Sequence, residues 1–396
     1  MKYDSEVVIV GAGASGLLCG GILAEAGIPV MILEKNKKPG KKLAATGNGR
    51  CNFTNLYMDT ERYYGDAGWL GKILDRYPPD RIIRFFRRIG VYDRERQGYV
   101  YPHTNQASTV VDALQGYCER GMVEIVTDCR VSAVLPMENR KGYRVTASRG
   151  DICCRTLILA TGGQASQELG GDTGGYELAR SLGHTIHKTC PGLTGLRCGG
   201  DWWKRVAGTR IQGRFSLRID GKFRKGECGE IQISRDGVSG IPVFQLCREA
   251  AEAVTQGRDV EGVIDFVPPM EPGELRQWLS DFGLQGLVPK KWVPVLQDRS
   301  GLCRVLKEFS FTVRDTFGME RAQVTAGGAD TAQVCAETME SGLAPDVFLV
   351  GELLDIDGKC GGYNLHFAWS CAMTAADAIL CRREKGENDD AADISM

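Results

Sequence analysis

Gly11, Gly13 and Gly16, spaced as G-x-G-x-x-G, and the carboxylate of Glu34 are the residues whose types and spacing point most directly to chemistry. Glycines at that spacing let a backbone approach a pyrophosphate closely, and an acid at the end of the next strand can accept hydrogen bonds from ribose hydroxyls. The elements that must position them are all present. Val7-Val8-Ile9-Val10 is an apolar, β-branched run suited to a parallel strand buried on both faces. The turn with Ala14 and Ser15 opens a helix over Leu17 to Ala26, whose N-terminal N–H groups and partial positive charge suit phosphate. Gly27 ends that helix, Val30 to Leu33 form the second strand, and Glu34 follows it. The chain is expected to hold a nucleotide cofactor.

The segment after Glu34, KNKKPGKKLAATGNGRCNFTN, is rich in Gly, Lys, Asn and Thr. It is expected to form an extended loop along a long polyanionic cofactor rather than a packed helix. Lys35, Lys42 and Arg50 supply positive charge there, and Thr46-Gly47-Asn48-Gly49-Arg50-Cys51-Asn52 is the core of the block. A second block lies near the C-terminus. Phe348-Leu349-Val350 reads as a strand, Gly351 allows close approach, Glu352 and Asp355 offer carboxylates, and Gly361-Gly362-Tyr363-Asn364 begin a helix. A helix N-terminus aimed at a cofactor ring would stabilise negative charge on it.

These blocks, together with Gly98-Tyr99-Val100-Tyr101-Pro102, Ala160-Thr161-Gly162-Gly163, Gly171 to Tyr176 and Thr325-Ala326-Gly327-Gly328, resemble the bacterial flavoproteins that include aminoacetone oxidase and the bile-acid-inducible reductase BaiN. The resemblance spans nearly the whole chain. It implies FAD as cofactor, ribitol hydroxyls as partners of Glu352 and Asp355, backbone contact between Val131 and the adenine, and redox chemistry. It does not fix the substrate. Much of the chain tracks the BaiN side, as in RQGYVYPHTNQAS and GELLDIDGKCGGYNLHFAW. The expected activity is therefore reduction, by hydride from flavin N5, of a carbon–carbon double bond conjugated to a ketone in a steroid-like substrate of the 3-oxo bile acid type. An oxygen-dependent aminoketone or amine oxidase is one alternative. A flavin-bound tRNA-modification or binding protein without turnover is another. Tyr99, Tyr101, His103, Tyr363 and His366 flank the shared motifs and are the candidate proton donors. No second G-x-G-x-x-G follows a strand in the middle of the chain, so NAD(P)H is expected to bind only transiently at the flavin.

Composition bounds the alternatives. Lys plus Arg number 49 against 50 Asp plus Glu, for a net charge of −1, so no global basic field favours nucleic acid or anionic membrane. The chain has no basic n-region with a small-residue cleavage site and no apolar run near the roughly 20 residues of a membrane span, so a cytoplasmic location is expected. Its 15 cysteines include no C-x-x-C pair, which argues against a metal centre and for a reduced protein with small buried thiols; Cys51 is expected to be structural rather than redox-active.

The expected fold is α/β: a Rossmann-like FAD-binding domain over 1–190 and 324–384, interrupted at 191–323 by an inserted β-rich domain with a small helical part. Helices are expected over Pro79 to Ile89, Ser108 to Cys118, Val243 to Val254 and Pro272 to Phe282, and a strand pair over Val123 to Ala133. Trp203, Trp278 and Trp292 are expected in cores or interfaces. The inserted domain is expected to wall off the substrate, and residues 385–396 are expected to be a disordered tail.

Overall fold

The apolar run near the N-terminus becomes the central strand of a parallel sheet. In the computed structural model, which describes residues 3–138, 141–297 and 299–393, β1 (Ser5–Val10) pairs in parallel with β2 (Val30–Leu33) on one side and with the strand Gly150–Leu159 on the other. The sheet extends in parallel to Glu124–Val126 beyond β2 and to Val347–Leu349 beyond Leu157, Ile158 and Leu159. Burial on both faces explains the composition of β1: Val7, Val8 and Ile9 are fully buried, and no polar residue interrupts them. Gly150–Leu159 is long enough to serve two neighbours. Its first half pairs antiparallel with Tyr143–Ala147, which pairs in turn with Val131–Pro136. The C-terminal helix, which begins at Tyr363, buries Trp369, Cys371, Ala372, Ala375 and Ala376 in the same core.

The chain forms two compact units, one made of residues up to Thr189 and from Val324 onward, the other of Cys190–Gln323. In the second unit, antiparallel pairings run from Arg210–Ile219 through Glu227–Ile233, Gly237–Ser239, Leu196–Cys198, Phe309–Thr316 and Val260–Asp265 and back to Arg210–Ile219, closing a barrel. Its core is aromatic. Phe215, Phe309, Trp203 and Trp292 are buried there, and Trp292 Nε1 donates to Thr209 Oγ1 at 2.9 Å. Closure removes the free edges that an open sheet of short strands would expose.

Several local expectations need correction. The segment after Glu34 contains a helix, α2 (Lys41–Gly49), kinked by non-helical backbone at Thr46, Gly47 and Asn48; the run Lys41 to Ala45 has adequate helix formers, and only the glycine-rich end departs from helical geometry. The helix expected over Val243 to Val254 is two, Ile241–Phe244 and Cys247–Thr255, with Leu246 between them at φ −110° and ψ −4°. Trp278 is partly exposed, its ring N–H donating to Gln285 O. The C-terminal helix runs from Tyr363 to Asp393, and residues 394–396 lie outside the described residues. Among the described residues no helix is long and apolar enough to cross a membrane.

Candidate active site

The glycine turn after β1 is closed on its inner side and open on its outer one. A Cβ on Gly16 would lie 1.9 Å from Gly11 O, and one on Gly11, at φ +105°, would lie 2.5 Å from Ala160 O. A Cβ on Gly13 would meet no protein atom within 4 Å. Gly13 is the N-cap of α1 (Ala14–Glu25), with no side chain capping the helix and no acid in its first turn. The free N–H groups of α1 therefore face a space that the chain leaves unfilled, which fits a pyrophosphate.

Glu34 is 6% exposed and already bonded: Oε2 accepts from Ala12 N at 2.8 Å, and Oε1 accepts from Asn36 N at 2.8 Å and from Asn36 Nδ2 at 2.6 Å. It ties the glycine turn to the end of β2. The strand segment holding Val131 reaches the same place, since Cys129 N donates to Glu34 O at 2.9 Å. Lys35 pairs with Asp172 at 2.7 Å, and Asp172 also takes Arg130 at 2.8 Å and Gly174 N at 3.0 Å, so the glycine-rich 170–175 segment is anchored beside Lys35.

In α2 the positive φ values of Gly47 (57°), Asn48 (54°) and Gly49 (80°), followed by Cys51 (55°), form a nearly continuous left-handed stretch. Non-glycine residues there carry strain of order 1–3 kcal/mol each, a cost that clusters at ligand clamps. Thr46 O holds the stretch by accepting from Arg50 N and Cys51 N, both at 3.1 Å. Cys51 is fully buried and burial pushes its thiol up to about 12, which makes it inert at neutral pH. The Arg50 side chain is exposed.

Contacts across some three hundred residues of chain join this block to the C-terminal one. Lys42 Nζ lies 2.7 and 2.9 Å from the two carboxylate oxygens of Glu352, and Glu352 Oε1 also accepts from Thr325 N at 2.9 Å. Ser15 Oγ lies where a Cβ on Gly351 would sit 2.4 Å away. Asn55, 2% exposed, donates from Nδ2 to Gly361 O at 2.9 Å and accepts from Tyr57 N at 2.9 Å. Asn364 holds both polar groups of the Gly358 backbone, at 2.7 and 2.8 Å. A Cβ on Gly362 would be 2.9 Å from Asn52 Oδ1, a buried acceptor with no partner among the described residues. Asp355 Oδ1 is likewise buried, with no hydrogen-bond partner among the described residues. At the sheet, Thr161 and Gly162 follow Gly150–Leu159, and Gly162 faces Glu352 Oε2. An open phosphate cradle, a strained glycine loop and unsatisfied polar atoms at Asn52 and Asp355 fit an extended polyhydroxylated cofactor such as FAD.

The candidate proton donors separate by position. His366 is fully buried, its Nδ1 sits 2.8 Å from Thr54 Oγ1, and burial lowers its pKa to about 3, so it is a neutral core residue of the C-terminal helix. His103 is exposed and packs on the exposed ring of Tyr92 at 5.5 Å. Tyr363 is buried, its ring against that of Tyr63 at 5.8 Å. Tyr101 is half-buried; burial raises its pKa first, Cys360 and Tyr99 add to that, and Arg50 and Arg96 oppose it. Tyr101, on the strand Tyr99–Pro102, thus feels a group of each block, Arg50 and Cys360. Asn55, Thr325, Tyr176 and His187 were missed as individuals by sequence reasoning: the first three lie inside the quoted blocks but carry no spacing rule, and His187 lies in no motif.

The HI0933-like protein Rossmann domain matches residues 5–378. Over 410 aligned residues the chain is 35% identical to the 3-dehydro-bile acid delta(4,6)-reductase of Clostridium scindens, covering 96% of this chain and 100% of that one. It is 27% identical to the ribosomal RNA dihydrouridine synthase of Escherichia coli, covering 96% of this chain and 98% of that one. Among solved structures, the 3-ketosteroid-delta4-(5alpha)-dehydrogenase of Rhodococcus jostii matches with a TM-score of 0.52 at 14% identity, covering 96% of this chain and 97% of that one. The open conformation of a flavocytochrome c3 fumarate reductase matches at 0.50 and 14%, over 94% and 78%. The last two likenesses concern fold alone. The match over residues 5–378, on a chain with this glycine turn and this sheet, places the protein in the HI0933-like Rossmann family.

Proposed function

We propose that this FAD-dependent oxidoreductase reduces a carbon–carbon double bond conjugated to the carbonyl of a hydrophobic, steroid-like substrate, with NAD(P)H as the transient reductant. The observation that carries this reading is the full-length match to a 3-dehydro-bile acid delta(4,6)-reductase. Such a reduction adds a hydride at the carbon remote from the carbonyl and a proton at the adjacent one. Bound FAD supplies the hydride. The chain must supply the proton and hold the substrate.

Tyr101 is the residue we assign to the proton. Its pKa lies above the ordinary tyrosine value, so the phenol is protonated at neutral pH, and the cationic Arg50 beside it offsets the phenolate left behind. Gly11, Gly13, Ala14, Ser15 and Gly16 are assigned to the pyrophosphate. Glu34, with Lys35 and Val131, is assigned to the adenosine end, and Thr46 to Asn52, Thr161, Gly162, Glu352, Asp355 and Gly361 to Asn364 to the flavin end. Tyr101→Phe is expected to lower kcat about 100-fold, the usual scale for a lost general acid, with FAD content unchanged. Assay of a 3-oxo-4-ene steroid with NADH and NADPH tests substrate and residue together. Uracil also carries a double bond conjugated to a carbonyl, so ribosomal RNA belongs in the same assay; turnover of uridine in RNA and none of the steroid would overturn the substrate assignment.

A further inference from the structure

Three short segments of the first unit lie side by side. Ile186 bridges to Ala329 and Ala329 to Leu354, and His187 N donates to Gly328 O at 2.8 Å, Asp330 N to Thr185 O at 3.0 Å and Asp355 N to Ala329 O at 2.9 Å. This ladder sets one ionisable side chain from each segment together. His187 Nδ1 is 2.7 Å from Asp355 Oδ2, and His187 Nε2 is 3.8 Å from Asp330 Oδ2. The Asp355 side chain is 18% exposed and that of His187 49%. The other oxygen of Asp355, Oδ1, is buried with no partner among the described residues. A carboxylate oxygen in that position is costly unless a ligand donates to it. Burial chiefly raises the pKa of Tyr176, and the charges of Glu352 and Asp355 add to it.

We infer that His187 is a positioning residue for cofactor binding: in its cationic form it grips Asp355 by Oδ2 and so presents Oδ1 to a hydroxyl of the cofactor. The inference rests on the FAD reading above. Sequence motifs place Asp355 in the C-terminal block but give no reason to look at His187. The charged groups facing the imidazole are Asp355 and Asp330, and together they hold its pKa above the ordinary histidine value, the hydrogen bond to Asp355 contributing most. The sign follows from that direction. The charged grip is complete below the unfolded value of about 6.5 and is lost as pH rises through the higher folded value. Neutral imidazole still offers a hydrogen bond, but a weaker one, and it no longer offsets the negative charge of Asp355 and Asp330.

The test is the FAD dissociation constant of FAD-stripped full-length protein as a function of pH, for the wild type, His187→Gln and Asp330→Asn. Because His187 is half exposed and solvent screens its charge, the expected change is moderate: wild-type FAD binding weakens about three- to tenfold on passing upward through the imidazole titration. His187→Gln, which keeps a neutral side chain in place, is expected to show the weaker affinity throughout with no such step. Asp330→Asn, which removes one stabilising carboxylate, is expected to move the step to lower pH. A His187→Gln protein with the wild-type profile, or an Asp330→Asn step at the wild-type pH should His187→Gln fail to fold, would overturn the inference. Wild-type protein that binds no FAD at any pH would instead overturn the FAD reading.

Discussion

Gly13→Val and Gly16→Ala are expected to fail in opposite ways. The Gly16 methyl would lie 1.9 Å from a backbone oxygen that belongs to the turn itself and cannot step aside. Overpacking of this kind costs about 1–3 kcal/mol, occasionally more, and backbone against Cβ puts the change at the upper end. A Tm lowered by several degrees, with poor soluble yield, is the expected result. At Gly13 no protein atom lies within 4 Å of the added carbon and φ is −84°, so the fold tolerates the side chain. It would occupy the space that the helix N-terminus offers to phosphate, and FAD affinity should fall at least about 100-fold, roughly 2.7 kcal/mol, with a Tm near that of FAD-stripped wild type. Thermal melting beside the flavin-to-protein absorbance ratio separates the two outcomes; a yellow, fully loaded Gly13→Val protein would show that the cofactor lies elsewhere.

Asn55→Ala is expected to be nearly as damaging, although Asn55 touches no expected reacting atom. Its side chain bridges the Gly361 carbonyl and the Tyr57 N–H. Truncation leaves a buried donor and a buried acceptor without partners, at about 1–3 kcal/mol each, and frees the loop that starts the C-terminal helix. Urea unfolding should show a loss of about 2–5 kcal/mol, and the remaining folded protein should bind FAD weakly. Asn55→Asp, which keeps the acceptor for Tyr57 N–H but sets an anion against Gly361 O, should recover only part of the loss. A variant with wild-type stability and FAD content would remove Asn55 from the account.

The parts of the fold set by local periodicity were legible in the sequence. Val7 to Val10 and Val30 to Leu33 announced parallel strands by their uninterrupted apolar composition, and Pro272–Phe282 read as a helix. Closure of the second unit into a barrel was not legible, because it depends on pairing Arg210–Ile219 with Val260–Asp265, and register between distant strands leaves no local signal. The kink in α2 was half visible: glycines announced irregular backbone, but the helical turn before them rests on packing of Leu43, which composition alone does not show.

For the candidate site the same division holds. Gly11 and Gly16 make the close backbone approaches that a missing side chain announces locally. Carboxylates were harder. Glu34 follows β2 and Glu352 follows Val347–Leu349, and the first fastens Ala12 and Asn36 while the second fastens Lys42 and Thr325, partners supplied by the fold. His366 looked reactive by type and motif, and only its complete burial against Thr54 shows a neutral packing residue. His187 looked like nothing in sequence, and acquires meaning from two aspartates that arrive from residues 330 and 355.

The most direct test of the central claim is an anaerobic pair of half-reactions on the purified, FAD-loaded protein. NADH or NADPH should bleach the flavin absorbance, and a 3-oxo-4-ene or 3-oxo-4,6-diene steroid, added after oxygen is excluded, should restore it stoichiometrically. Bleaching by an aminoketone with recovery only on admitting oxygen, and no bleaching by either nicotinamide, would contradict it.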